Sequence, residues 1–96
     1  MKHALNVLFI EDSQIDVELE RNALEKAHLD VNSRRVDSKE GLAEALRTFL
    51  PDLIISDFTL PAMDGMSALR QVRTVNEKTP FIFVSGTIGE IGRAHV

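Results

Sequence analysis

Apolar residues along this chain fall into two kinds of block: short unbroken runs, and longer stretches where they recur every three or four positions. Ala4 to Ile10 is almost continuously apolar and rich in branched side chains, interrupted only by Asn6. Such a run predicts a strand buried on both faces, as in a parallel sheet covered by helices. Ser13 then offers a helix cap, with Asp16 three residues on as a capping-box partner. Ile15, Leu19, Ala23 and Ala27 recur every four residues, which predicts the inner stripe of a first helix. Val31 to Val36 reads as a short strand with a polar middle, the pattern of a sheet edge where one side meets water.

Ser38 caps a second helix whose inner face is Leu42, Ala45, Leu46 and Phe49, and Pro51 ends it. Leu53-Ile54-Ile55 forms another buried strand that finishes at Asp57, after which Leu60-Pro61 and Asp64-Gly65 bracket a turn. Met66, Leu69, Val72 and Val75 support a third helix, and Phe81 to Val84 a fourth strand ending at Ser85-Gly86. Thr87 and Glu90 form a capping box for the start of a fourth helix.

Strand and helix thus alternate four times, which implies a parallel sheet with right-handed crossovers and helices on both faces. A polar second strand at the edge and an apolar first strand inside favour a doubly wound α/β fold of flavodoxin-like order 2-1-3-4-5. In that order the first and third strands flank the switch point where ligands bind. Three strand ends deliver Glu11 and Asp12, Asp57, and Ser85 to that one rim. Crowded carboxylates repel, so a protein that keeps them together usually holds a hard cation, and an all-oxygen set suits Mg²⁺. A carboxylate beside Mg²⁺ can also attack phosphorus and form an aspartyl phosphate.

Composition narrows the field of functions. The net charge of -4, with basic residues scattered, argues against a nucleic-acid or anionic-membrane surface. With no cysteine there is no disulfide framework, thiolate zinc site or thiol nucleophile, which suits a reducing cytoplasm. No run approaches the roughly 18 apolar residues of a membrane span, and the opening apolar run ends at Glu11-Asp12 with no cleavage site behind it.

The motifs carry a family resemblance. Val7-Leu8-Phe9-Ile10-Glu11-Asp12-Ser13 resembles the first strand and acidic pair of response-regulator receiver domains. The segment from Leu53 through Asp57-Phe58-Thr59-Leu60-Pro61 to Asp64-Gly65 is similar to the family's phosphoacceptor strand and following loop. Pro80 to Thr87 resembles its fourth strand and switch hydroxyl. The resemblance implies that Asp57 accepts a phosphoryl group, that Asp12 binds Mg²⁺ directly, that Glu11 holds a metal-bound water, and that the Thr59 carbonyl completes the protein's ligands. It makes Ser85 the switch hydroxyl. It also implies a histidine kinase or phosphotransfer protein as donor, an output domain or effector as recipient of the signal, and a cytoplasmic location. Such a module is a binding switch and not an enzyme beyond slow self-catalysed transfer and dephosphorylation.

The chain also departs from that pattern. Receivers continue with a fifth strand bearing a lysine and a fifth helix, and neither is legible here; Lys78 lies in the loop at the opposite end of the sheet. Residues 1–90 are therefore expected to form an incomplete receiver, with residues 91–96 as a tail that does not resemble the family. On this reading the fifth strand is missing and Phe81 to Val84 becomes an apolar edge, which predicts a homodimer through that strand or marginal stability. The missing lysine keeps a non-phosphorylated interaction module in view. A phosphohydrolase with an aspartate nucleophile would place a second Asp two residues after Asp57, where Thr59 stands. Taken alone, Asp57 and Asp12 are also ordinary turn or cap residues, and the spacing of His3, His28 and His95 is not that of metal ligands.

Overall fold

A computed structural model describes residues 4–57 and 64–84 and the backbone of 94–95. In chain order the elements are β1 (Leu5–Ile10), α1 (Gln14–Lys26), β2 (Val31–Val36), α2 (Lys39–Thr48), β3 (Leu53–Asp57), α3 (Gly65–Val75), β4 (Phe81–Val84) and β5 (Ala94–His95). The sheet runs β2-β1-β3-β4-β5, with the first four strands parallel. The polar β2 lies at the edge and β1 inside, as the patterning predicts.

At the far edge, Ala94 and His95 pair antiparallel with Phe83 and Ile82, so part of the β4 edge expected to be open carries a short strand. A second parallel neighbour for β4 is absent among the described residues. The proposed start of a fourth helix at Thr87 lies outside the described residues.

Alternation along the strands builds two cores. Leu8 and Ile10 join Leu42, Ala45, Leu46, Ile54, Ala68, Leu69, Val72, Phe81 and Phe83 under α2 and α3. Val7 and Phe9 point the other way, against Val17 of α1, Val31, Ile55 and Val84. Asn6, the polar break in β1, ties the sheet to the loop that follows α2. Its backbone N–H donates to Asp52 Oδ2 at 2.9 Å, its Nδ2 donates to the Phe49 carbonyl at 2.9 Å, and the Asp52 N–H returns a bond to its carbonyl at 2.7 Å.

The helix faces agree with the sequence in α2, agree only in part in α3 and differ in α1. In α2 the expected residues Leu42, Ala45 and Leu46 are buried, with Phe49 packed against them. In α3, Leu69 and Val72 are buried, with Ala68 beside them, whereas Met66 and Val75 lie outside. Asp64 caps α3 by accepting the Ser67 N–H at 2.7 Å, and Gly65 is the first helical residue, not part of a turn. In α1 the expected stripe is on the wrong face. Ile15 is 68% exposed, Leu19 41%, and Ala23 and Ala27 are exposed too. The inner face is Val17, Glu20 and Leu24.

Helix α1 has two apolar stripes, and the three-residue passage from β1 decides between them. That passage places Ser13 where its hydroxyl accepts the Asp16 N–H at 3.3 Å, and the helix then starts with Val17 over the sheet. The capping box is half made: Asp16 Oδ1 is buried with no hydrogen-bond partner among the described residues. No helix among the described residues is long and apolar enough to cross a membrane.

Two consequences for stability can be measured. Leu50 follows the α2 cap with φ 52°, its N–H bonded to the Ala45 carbonyl at 3.3 Å, in the left-handed position that glycine ordinarily fills. A β-carbon costs about 1–2 kcal/mol there, partly offset by the entropy glycine loses. Leu50→Gly is therefore expected to raise the denaturation midpoint by the equivalent of about 0.5–1 kcal/mol.

Glu20 is 8% exposed on the inner face of α1. Burial, then the Asp16 and Asp57 charges, push its carboxyl up to about 7 from 4.5. A raised carboxyl stabilises the fold fully below 4.5, and that contribution is lost as pH rises through about 7. Glu20→Leu is expected to raise the melting temperature of the metal-free protein more at pH 8 than at pH 4.5. A gain of about 1 kcal/mol corresponds to about 4–8 °C in a domain of this size.

Candidate functional site

Strand register assembles the site. Ile10 lies opposite Ser56 in the β1–β3 ladder, so the next residues, Glu11 and Asp57, come side by side at the carboxyl ends. Asp12 follows Glu11 into the passage to α1. Glu11, Asp12 and Asp57 each offer a carboxylate oxygen within 4.8 Å of the others. Glu11 and Asp57 are buried, 3% and 7% exposed, while Asp12 opens to solvent. Val84 stands opposite Asp57 in the β3–β4 ladder, so the site borders the strand that leads to Ser85.

The backbone around the trio is tied down. The Glu11 N–H donates to the Val36 carbonyl at 2.9 Å, and Glu11 Oε2 accepts the Ser13 N–H at 3.1 Å. The Ser56 hydroxyl, wholly buried, donates to the Asp57 carbonyl at 3.0 Å.

Electrostatics mark the trio as under-compensated. Burial pushes the Glu11 carboxyl up to about 8, against the lowering effect of the Ser13 N–H. The Asp57 charge, a hydrogen bond with the Asp12 carboxyl and the Asp16 charge all add to the rise. The donor set is all oxygen, two of its members are buried, and burial, reinforced by the neighbouring carboxyls, favours the protonated form of Glu11 near neutral pH. Those properties fit a hard divalent cation, whose charge would favour the ionised form that burial and the neighbouring charges oppose.

Glu11, Asp12 and Asp57 are therefore brought together as the sequence reading expects. Thr59 and Ser85, named there as a carbonyl ligand and a hydroxyl, lie outside the described residues. The sequence reading missed two residues near the site. Glu20, one helical turn beyond Asp16, has a carboxyl that responds to the Asp57 charge. Arg35, in the polar edge strand, bonds to the Glu11 carbonyl. The available signal for Arg35 was its place one residue before the end of β2, level with Phe9 and so close to the rim.

Comparison with known proteins supplies the family. Residues 7–94 match the model of the response regulator receiver domain. The autoinducer 1 sensor kinase/phosphatase LuxN of Vibrio harveyi is 30% identical over 84 residues, covering 88% of this chain and 10% of that protein. The regulator of RpoS of Escherichia coli K12 is 30% identical over 83 residues, covering 84% and 23%. A protein-glutamate methylesterase/protein-glutamine glutaminase of Geobacter sulfurreducens is 42% identical over 69 residues, covering 71% and 19%. The chain thus spans less than a quarter of each of these curated relatives.

Among solved structures, the CheY-like receiver domain from Methylobacillus flagellatus superposes with a TM-score of 0.73 at 25% identity, over 95% of this chain and 77% of that one. A response regulator from Chloroflexus aurantiacus gives 0.71 at 26% identity, over 90% and 72%. Strand order, acidic rim and a family match that takes in most of the chain agree, and this protein belongs to the response regulator receiver domains of two-component systems.

Proposed function

We propose that this domain accepts a phosphoryl group on Asp57, with Mg²⁺ bound at the rim, and that the modification switches the binding of a partner. The observation that carries the reading is the meeting of three carboxylates within 4.8 Å at the ends of β1 and β3 in a receiver fold. Asp57 is the nucleophile. Its carboxylate oxygen forms the bond to phosphorus while the bond from phosphorus to the donor's histidine nitrogen breaks, and the electron pair leaves with the imidazole. Asp12 would ligate the ion directly and Glu11 would hold a water on it, with the Thr59 carbonyl as a further ligand. Bound Mg²⁺ supplies positive charge that offsets repulsion between the Asp57 carboxylate and the incoming phosphoryl oxygens. The Ser85 hydroxyl would donate a hydrogen bond to a phosphoryl oxygen.

The donor in this reading is a phosphohistidine on a histidine kinase or phosphotransfer protein. Support comes from α1, the helix that follows Glu11 and Asp12 in the chain, where Ile15 and Leu19 offer exposed apolar side chains. The recipient of the signal is an output domain or effector. Within the chain, residues 1–90 are taken as the receiver unit and 91–96 as its tail, and the location is taken as cytoplasmic.

Asp57→Asn keeps the shape of the site but removes the nucleophile. Acetyl phosphate with Mg²⁺ is expected to add one phosphoryl group to the wild-type chain and none to the variant, read by intact mass. Modification that survives in Asp57→Asn would refute the assignment. A wild-type chain that stays unmodified in the same assay would favour a non-phosphorylated interaction module.

Because the Glu11 carboxyl is raised to about 8 when no ion is bound, Mg²⁺ binding is expected to release its proton. Apparent Mg²⁺ affinity is expected to rise with pH by up to about tenfold per unit and to level off above about 8. Titrations followed by amide shifts at several pH values would check this, and an affinity flat across the range would contradict it.

A further inference from the structure

Arg35 links β2 to the segment that carries the acidic residues. Its Nη1 donates to the Glu11 carbonyl at 3.2 Å and its Nε donates to Gln14 Oε1 at 3.2 Å. The same Nη1 lies 3.5 Å from Asp37 Oδ2. Gln14 passes the contact along α1, its Nε2 donating to Glu18 Oε2 at 2.9 Å. On the other side, the Glu11 N–H is bonded to the Val36 carbonyl at 2.9 Å. Both backbone polar groups of Glu11 are thus held by the end of β2, and so is the side chain of the first residue of α1.

A guanidinium is planar with its donors at fixed separations, so one fork that engages two acceptors on different elements fixes them relative to each other. The residues between those acceptors are Asp12 and Ser13. We propose that Arg35 is a positioning residue: by clamping the Glu11 carbonyl and the Gln14 amide it sets the β1–α1 passage so that the Glu11 and Asp12 carboxylates face Asp57. This rests on the Mg²⁺ reading given above, and deepens it by assigning a residue outside the ligand set.

The competing account of Arg35 is an exposed ion pair with Asp37. At 3.5 Å, with side chains 34% and 54% exposed, such a pair contributes little. The two accounts differ in sign. Removing a cation near a cation site tightens Mg²⁺ binding if charge alone matters. Loss of a positioning contact weakens it, by about tenfold for residues that orient metal ligands.

The test is a Mg²⁺ titration by amide shifts on the wild type, Arg35→Gln, Arg35→Lys and Asp37→Ala, with Asp12→Ala as control. Both Arg35 variants are expected to bind about tenfold more weakly, although Lys keeps the charge, and Asp37→Ala to bind as the wild type does. Tighter or unchanged binding in Arg35→Gln overturns the proposal, as does unchanged binding in Arg35→Lys. A second readout needs no ion: exchange of the Ser13 amide hydrogen, which Glu11 Oε2 holds, should quicken in metal-free Arg35→Gln. Equal exchange rates in the two proteins overturn the positioning role. A wild type that takes up no Mg²⁺, or an Asp12→Ala variant that takes it up undiminished, defeats the metal reading instead, and Ser13 exchange still decides Arg35. Should Arg35→Gln fail to fold, Gln14→Ala removes one arm at an exposed position and is expected to give a smaller weakening of the same sign.

Discussion

Two parallel strands held in a single register force like charges together, and much of the rest of the molecule answers that constraint. Ile10 opposite Ser56 leaves Glu11 beside Asp57, with Asp12 within reach of both. At an effective dielectric of about 20, two unit charges 4.8 Å apart repel by about 3–4 kcal/mol. That is a large share of the roughly 5–15 kcal/mol that stabilises a small domain. Strand slippage is no escape, because a shift of one residue turns Val7, Leu8, Phe9 and Ile10 onto the wrong faces of the sheet. The apolar cores therefore hold the charges in place, and the charges settle their conflict by protonation or by taking up a cation. The Glu11 carboxyl is raised to about 8, by burial first and then by the Asp57 and Asp16 charges.

The same field reaches α1. Glu20, one turn beyond Asp16, faces inward where an amphipathic helix would normally place an apolar side chain, and it is raised to about 7 by burial and by the neighbouring charges. The compensating feature is on the outside, where Ile15 and Leu19 meet solvent. Helix α1 thus gives up some burial energy on its inner face and presents apolar surface next to the rim.

Polar residues set into the strands act as ties at both ends of the sheet. Asn6, near the start of β1, closes the end opposite the site through Asp52 and the Phe49 carbonyl. Arg35, near the finish of β2, closes the carboxyl end through Glu11 and Gln14. Each looks like a blemish in a hydrophobic pattern, and each bonds a backbone group in or beside a loop that packing alone does not hold.

Local chemistry was enough to reveal the alternation of strands and helices, the sheet order from the polar β2 and apolar β1, and the acidic rim from the strand ends. Those features depend on period and composition, which a linear chain displays. The face that α1 buries was not legible, because Ile15-Leu19 and Val17-Leu24 are both credible stripes and the geometry of the passage from β1 selected the second. The partner at the β4 edge was hidden as well, since a two-residue strand carries no periodic signal and its pairing is decided by where the chain returns in space. Charge coupling among Glu11, Asp57, Asp16 and Glu20, and the reach of Arg35 to the Glu11 carbonyl, required distances between residues remote in sequence. The chain spells out which groups stand at its strand ends; only tertiary structure decides how close they come, and with charges a few ångströms determines whether a carboxyl keeps its proton.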